Sequence, residues 1–148
     1  MTNAERPAPP KGGFTARRLI SIDDLTDADI RYLLKLAEYY GGFLRRGAPA
    51  PRRLAGKTQI NLFFEDSTRT NLSFELAGKK LGADVINVPV AASSVHKGET
   101  MIDTAQTMAA MGAHAMIVRA KEEDLHYRLD EALPCPVVNG GARKRAQP

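Results

Sequence analysis

Apolar positions recur along this chain with two different periods, and the alternation between them predicts its architecture. Ile30, Leu33, Leu34 and Ala37 follow the i, i+3, i+4, i+7 spacing of a one-sided helix. Thr26 stands where an N-cap belongs, with Asp27 and Asp29 in the first turn to complement the helix dipole. That helix is expected to end between Gly41 and Gly47, and the stretch from Ala48 to Gly56, with Pro49 and Pro51, reads as a connector. Short apolar runs then alternate with helical patterns. Gln59 to Phe64 suits a buried strand. Thr68 to Leu81 suits a helix with Phe74, Ala77, Gly78 and Leu81 on one face, stopped by Gly82. Asp84 to Val90 is a second strand, followed by a helix from Thr100 to Met111 with Met101, Ala105 and Met108 inward and Gly112 as its stop. Ala115 to Val118, Glu122 to Ala132 and Pro136 to Val138 complete the series as strand, helix and strand.

Strands alternating with helices of this length imply βαβ crossovers. The fold class is therefore α/β, a doubly wound parallel sheet of about four strands flanked by helices. At 148 residues the chain has room for one such domain and not for two of ordinary size. Residues 1–18 open with a polar, proline- and glycine-bearing leader expected to be disordered. The domain occupies 19–139, and 140–148 form a basic tail.

Composition narrows the classes. With 43% apolar and 26% charged residues this is the balance of a soluble globular protein, and no apolar run approaches the roughly 20 residues of a membrane span. The leader has no apolar segment of the kind a secretory signal needs. Cys135 is the single cysteine, which excludes an internal disulfide and a multi-cysteine zinc site and makes the cytoplasm the natural compartment. His114 and His126 lack a metal-ligand partner at useful spacing, so no metal is expected and both read as structural or surface residues. The net charge is +4, with basic groups at Arg45, Arg46, Arg52 and Arg53 and at Arg143, Lys144 and Arg145. Such an excess is either a solvated surface or a match for an anion, whether nucleic acid or a small phosphorylated substrate. No aromatic residues are interleaved with these arginines, which argues against a nucleic-acid binder.

Ligands of open α/β sheets bind beyond the carboxyl ends of the strands. The dense polar clusters fall at those ends: Glu65-Asp66-Ser67-Thr68-Arg69-Thr70, then Ser93-Ser94-Val95-His96-Lys97-Gly98-Glu99-Thr100, then Arg119, then Asn139-Gly140-Gly141. Ser67 to Thr70 would open a helix whose free N–H groups favour an anion, with hydroxyls and Arg69 as further donors. The alternative is a serine N-cap beside a surface arginine. Likewise, the loop with Ser93 and Lys97 is either part of a site or an ordinary polar loop. Arg119 ends a buried strand, where an unpaired guanidinium is costly, so it meets either an anion or Glu122 or Glu123.

Together the clusters resemble the aspartate/ornithine carbamoyltransferase family. Phe63-Phe64-Glu65-Asp66-Ser67-Thr68-Arg69-Thr70 and Ser73-Phe74-Glu75 resemble its phosphate-binding signature. Ser93 to Thr100 with Asp103-Thr104 resembles the mobile loop of its aspartate branch. Ile117-Val118-Arg119 resembles the strand bearing the substrate arginine, and Pro136 to Asn139 the strand before its histidine loop. The resemblance implies that Ser67, Thr68, Arg69 and Thr70 hold the phosphate of carbamoyl phosphate, with Arg119 and Thr70 at the carbamoyl oxygen. Ser93 and Lys97 would come from a neighbouring subunit of a homotrimer. Arg69, Thr70, Lys97 and Arg119 would carry catalysis without metal or organic cofactor, and the Lys97-Gly98-Glu99-Thr100 loop favours L-aspartate over ornithine as acceptor.

After Asn139 the family continues with a glycine-rich turn and a His-Pro-Thr-Gln stretch. Here Gly140-Gly141-Ala142-Arg143-Lys144-Arg145-Ala146-Gln147-Pro148 follows; aligning Pro148 with the motif's proline puts Gln147 in place of the histidine. The resemblance thus implies a chain without its aspartate-binding domain, inactive alone and prone to self-association through uncovered apolar surface. A truncated fragment or a frameshifted product fits the abrupt basic tail better than a non-catalytic, anion-binding or interaction homologue does.

Overall fold

The computed structural model describes residues 5–14, 16–89, 100–122 and 124–141. Four parallel strands, β1 (Thr58–Phe63), β2 (Asp84–Pro89), β3 (Ala115–Arg119) and β4 (Val137–Asn139), form one sheet in the order β2-β1-β3-β4. Four helices, α1 (Asp27–Arg45), α2 (Thr68–Leu81), α3 (Met101–Ala110) and α4 (Leu125–Ala132), precede and connect the strands. The α/β sheet expected from the alternation is present. Its strand order reverses between β1 and β3, which is where open parallel sheets offer a crevice for ligands.

The β1 side chains divide by the strand period of two. Ile60 and Leu62 are buried in the sheet, and Leu62 joins Met116, Val118 and Val137 in a core closed by Ala105, Ala109, Leu125 and Leu129. Met101 and Met108 pack against this cluster, as their spacing predicts. Full burial of a leucine or valine side chain stabilises by about 1.5–3 kcal/mol, so this face carries much of the fold. The opposite face of β1 presents Gln59 and Asn61 toward α2, where the sequence suggested only an apolar strand.

Helix ends follow their caps. Thr26 and Asp29 form a capping box at α1, and Thr100 and Asp103 form another at α3. The Thr100 hydroxyl and N–H hold the Asp103 carboxyl below its ordinary pKa. Gly82 ends α2 at φ 91°, a left-handed turn that glycine adopts without a Cβ penalty.

Two helix expectations need correction. The fourth helix begins at Leu125, not at Glu122, so Lys121 and Glu122 belong to the preceding turn. In α1, Leu34 is 66% exposed and Ala37 is exposed, although both lie on the predicted apolar stripe. Periodicity marks an apolar face but cannot supply the surface that covers it. The buried α1 positions are Asp29, Tyr32 and Gly42 instead. Tyr32 meets the Phe14 ring at 6.0 Å and accepts a hydrogen bond from Arg6 Nη2.

The other margin of the sheet is closed by the chain before α1. Leu19 pairs in parallel with Val138, and Asn139 Nδ2 donates to Ile20 O at 3.0 Å. Arg18 reinforces this corner through Asp24 and Asp130 and stacks over Tyr127. Among the described residues, no helix is long and apolar enough to cross a membrane, and no cluster of three potential metal ligands occurs.

Candidate functional site

Parallel pairing brings the ends of β1 and β3 together. Phe63 is in register with Arg119, and Phe64 N–H donates to Arg119 O at 2.8 Å. The turn Glu65-Asp66-Ser67 therefore leaves β1 beside Arg119 and enters α2 at Thr68. Ser67, Thr68, Arg69, Thr70 and Arg119 lie at one sheet edge, at the switch point. Ser93 and Lys97, with their neighbours from 90 to 99, lie outside the described residues, as do Glu123 and the tail from 142 onward.

The start of α2 is built unlike a closed helix end. Ser67 occupies the N-cap position but makes no capping hydrogen bond. Its hydroxyl donates to Thr70 Oγ1 at 2.9 Å, leaving the first-turn N–H groups without a side-chain cap. The plain capping alternative for Ser67 is therefore not what forms. Arg69 is exposed, and its guanidinium has no ion pair among the described residues. Asn71 Oδ1, one turn in, is buried without a hydrogen-bond partner. The first-turn N–H groups, the Arg69 guanidinium and the positive helix end thus lie together without a side-chain cap or ion pair among the described residues.

Arg119 is held from two sides. Nη1 donates to Gly140 O at 3.1 Å, and Nε lies 3.5 Å from Glu65 Oε2. The second contact is an ion pair without hydrogen-bond geometry, so the buried Nε–H has no hydrogen-bond partner. Among the described residues, Glu65 and not Glu122 is the carboxylate beside Arg119; Glu122 pairs with Arg128. The sequence pointed to near neighbours, whereas strand register delivers a residue 54 positions away.

Val118, just before Arg119, is fixed by buried groups. Its carbonyl accepts from Gly140 N–H at 2.7 Å and lies 3.0 Å from His126 Nε2. His126 is fully buried, and burial pushes its pKa down, partly countered by this hydrogen bond. His126 is thus a structural residue, neutral at neutral pH. His114 is structural too, its Nδ1 accepting from Thr58 N–H at 3.1 Å. A side chain at Gly140 would be tight, with its Cβ 3.2 Å from Val118 O and 3.3 Å from Ile117 Cγ2.

A groove of about 560 Å³ runs along the β2 flank of the same turn, lined by Glu65, Asp66, Ser67, Thr68, Glu75 and Asn87 among others. Its three carboxylates make it a poor anion pocket by itself, and Arg119 does not line it. An apolar groove of about 540 Å³ lies between the end of α1 and the end of α2, lined by Tyr40, Phe43, Leu44 and Leu81. It has the larger apolar surface, with Arg52, Lys79 and Lys80 also in its lining, but it lies away from the carboxyl ends of the strands, where parallel sheets place their ligands.

The sequence matches the family described as "Aspartate/ornithine carbamoyltransferase, carbamoyl-P binding domain" over residues 17–148. The chain belongs to the aspartate/ornithine carbamoyltransferase family. Within it, the chain is 47% identical to the aspartate carbamoyltransferase catalytic subunit of Ruegeria pomeroyi, over 91% of this chain and 43% of that protein. It is also 47% identical to the corresponding subunit of Sphingopyxis alaskensis, over 99% of this chain and 44% of the relative. The aspartate transcarbamoylase of Trypanosoma cruzi in complex with carbamoyl phosphate superposes with a TM-score of 0.82 at 31% identity, covering 95% of this chain and 44% of that one. The ornithine carbamoyltransferase of Burkholderia thailandensis gives 0.75 at 26% identity, over 85% and 43%. The chain therefore spans less than half the length of the family members it matches.

Proposed function

We propose that the chain forms the carbamoyl-phosphate half of an aspartate carbamoyltransferase. The observation that carries this reading is the uncapped, hydroxyl-rich start of α2 beside the half-buried Arg119, whose Nε–H has no hydrogen-bond partner. Ser67, Thr68, Arg69 and Thr70 bind the phosphate, and Arg119 with Thr70 faces the carbamoyl oxygen. Ser93 and Lys97 complete the site from a neighbouring subunit of a homotrimer. The α-amino nitrogen of L-aspartate attacks the carbamoyl carbon, and the bond to the phosphate oxygen breaks. Phosphate leaves with the bonding pair, the nitrogen loses a proton, and N-carbamoyl-L-aspartate remains. The chain's residues act by positioning and by stabilising negative charge. Such a reaction serves de novo pyrimidine (UMP) synthesis in the cytoplasm.

Calorimetric titration with phosphonoacetamide, a carbamoyl phosphate analogue with carbon in place of the bridging oxygen, tests the site directly. The folded chain is expected to bind saturably. Arg69→Ala is expected to weaken binding roughly tenfold or more, because hydrogen bonds to charged groups contribute about 1.5–3 kcal/mol. A folded wild-type chain that does not bind would remove the anion site.

The proposed trimer has a physical counterpart on α2. Leu72 and Leu76 lie one turn apart on α2 and are 57% and 52% exposed, beside the edge strand β2. Apolar side chains at an open strand edge favour association. Sedimentation of the wild-type chain should show oligomers, and Leu72→Glu with Leu76→Glu should shift it to monomer. A wild-type chain that remains monomeric at tens of micromolar would count against this surface.

A further inference from the structure

Four polar side chains form a continuous line between the sheet and α2, and of these only Glu75 falls within the signature-like stretch, with no role assigned to it there. Gln59 Nε2 donates to Asn61 Oδ1 at 2.9 Å and to Phe74 O at 3.0 Å. Asn61 Nδ2 donates to Asn87 Oδ1 at 2.7 Å, and Asn87 Nδ2 donates to Glu75 Oε2 at 2.6 Å. The line starts in the core, where Asn61 has 0% exposure, and ends on the groove beside Ser67 and Thr68. An amide in the middle of a buried strand is costly unless paired, and an apolar residue would fill β1 at less risk. Its pairing depends on geometry: Asn61 and Asn87 are register partners across β1 and β2, so a one-residue slip would break the line. Glu75, at its outer end, is also engaged by Lys79, and these two contacts hold its carboxyl below the usual range.

We propose that Asn61, Asn87 and Glu75 are positioning residues for the anion site: their hydrogen bonds clamp the middle of α2 to the sheet and so set where its first turn stands. Glu75 lies seven residues after Thr68, and at 1.5 Å per residue a rigid helix carries its position about 10 Å to the first turn. Gln59 grips the backbone at Phe74 while Asn87 grips the adjacent Glu75 side chain, which restrains both sliding and rolling of α2. The proposal rests on the anion-site reading given above for its functional consequence, whereas the clamp itself is measurable without ligand.

The test compares Asn87→Ala, Asn87→Asp and the swap Asn87→Asp with Glu75→Gln in the full chain. Two readouts are taken: amide exchange at Asn71, Leu72 and Ser73 without ligand, and phosphonoacetamide affinity. Asn87→Ala removes the central link without adding charge. Asn87→Asp sets two carboxylates against each other. In the swap, the new amide at position 75 donates to the new carboxylate at position 87, and Asn61 still donates to that carboxylate. The line is thus rebuilt with the original net charge. Both single variants are expected to speed exchange in the first turns of α2 and to weaken binding about fivefold, the net worth of one ordinary hydrogen bond. The swap is expected to restore both to within about twofold. Unchanged first-turn exchange in the single variants overturns the clamp. So does faster exchange spread equally through β1 and β3, which is the mark of general destabilisation, or a swap that restores nothing. If wild-type chain does not bind the phosphonate, the anion reading falls, and exchange alone still decides the clamp.

Discussion

Gly78→Ala is expected to destabilise the chain by about 2 kcal/mol, despite replacing a helical glycine by the best helix former. Alanine's intrinsic advantage in a helix interior is about 1 kcal/mol. Against it, the new Cβ would stand 2.5 Å from Gln59 Oε1 and 2.7 Å from Val85 Cγ2, distances that van der Waals contacts do not reach. Gln59 cannot swing aside without releasing Asn61 and Phe74 O, and Val85 belongs to a paired strand. Overpacking of this kind costs about 1–3 kcal/mol, and occasionally more when neighbours are held. Against a typical domain stability of about 5–15 kcal/mol, the loss should lower Tm by roughly 4–8 °C. Gly41→Ala is the control. Its Cβ would meet only the Arg45 guanidinium tip, with Nη1 at 3.2 Å, on an exposed side chain that can move. That variant should be neutral or slightly more stable. Thermal and urea unfolding of the pair decides the matter: a Gly78→Ala chain as stable as wild type means α2 does not sit this close to β1.

The largest functional effect is expected at Arg119. In the assembled enzyme, with an aspartate-binding half supplied, Arg119→Ala should lower turnover by about 10²–10³-fold, the usual cost of losing one preorganised donor to a developing oxyanion. The guanidinium is preorganised by Gly140 O on one side and Glu65 on the other, so little reorganisation is needed when a substrate arrives. Arg119→Lys should recover little, because an ammonium cannot bind Gly140 O and a substrate oxygen in the same planar arrangement. Steady-state rates at saturating aspartate and carbamoyl phosphate are the measurement. Turnover within twofold of wild type in Arg119→Ala would take this residue out of the mechanism.

Local signals in the chain were reliable wherever the physics is local. Thr26 caps the helix it precedes, Gly82 terminates α2 in the left-handed region, and the helix from Thr68 to Leu81 appears with the predicted bounds, while Thr100, expected as the first helical residue, is the cap of α3. Each depends on a side chain meeting backbone within a few residues. The start of α4 was less legible because Lys121 and Glu122 have ordinary helix propensity, and nothing nearby shows that the chain is still turning there. The exposed Leu34 shows the same limit from another side, since a helix face is a local property and its partner is not.

The candidate site divides along that line too. The hydroxyl-rich start of α2 and the arginine at the end of β3 are visible as residue types at strand ends, because parallel sheets direct all those ends to one edge. The strand order β2-β1-β3-β4 is not written in any short segment, yet it puts Arg119 beside Phe63 and hence beside Glu65. Asn61, Asn87 and Glu75 are a similar case: 26 residues separate the first two, and their hydrogen bond exists only because β1 and β2 pair in one register. Sequence by itself determined the α/β class, the helix caps and the chemistry available at the sheet edge, since those follow from periodicity and near-neighbour hydrogen bonds. Tertiary structure alone decided which carboxylate meets Arg119, what holds α2 in place and which apolar faces stay uncovered, because those depend on distances between residues far apart in the chain.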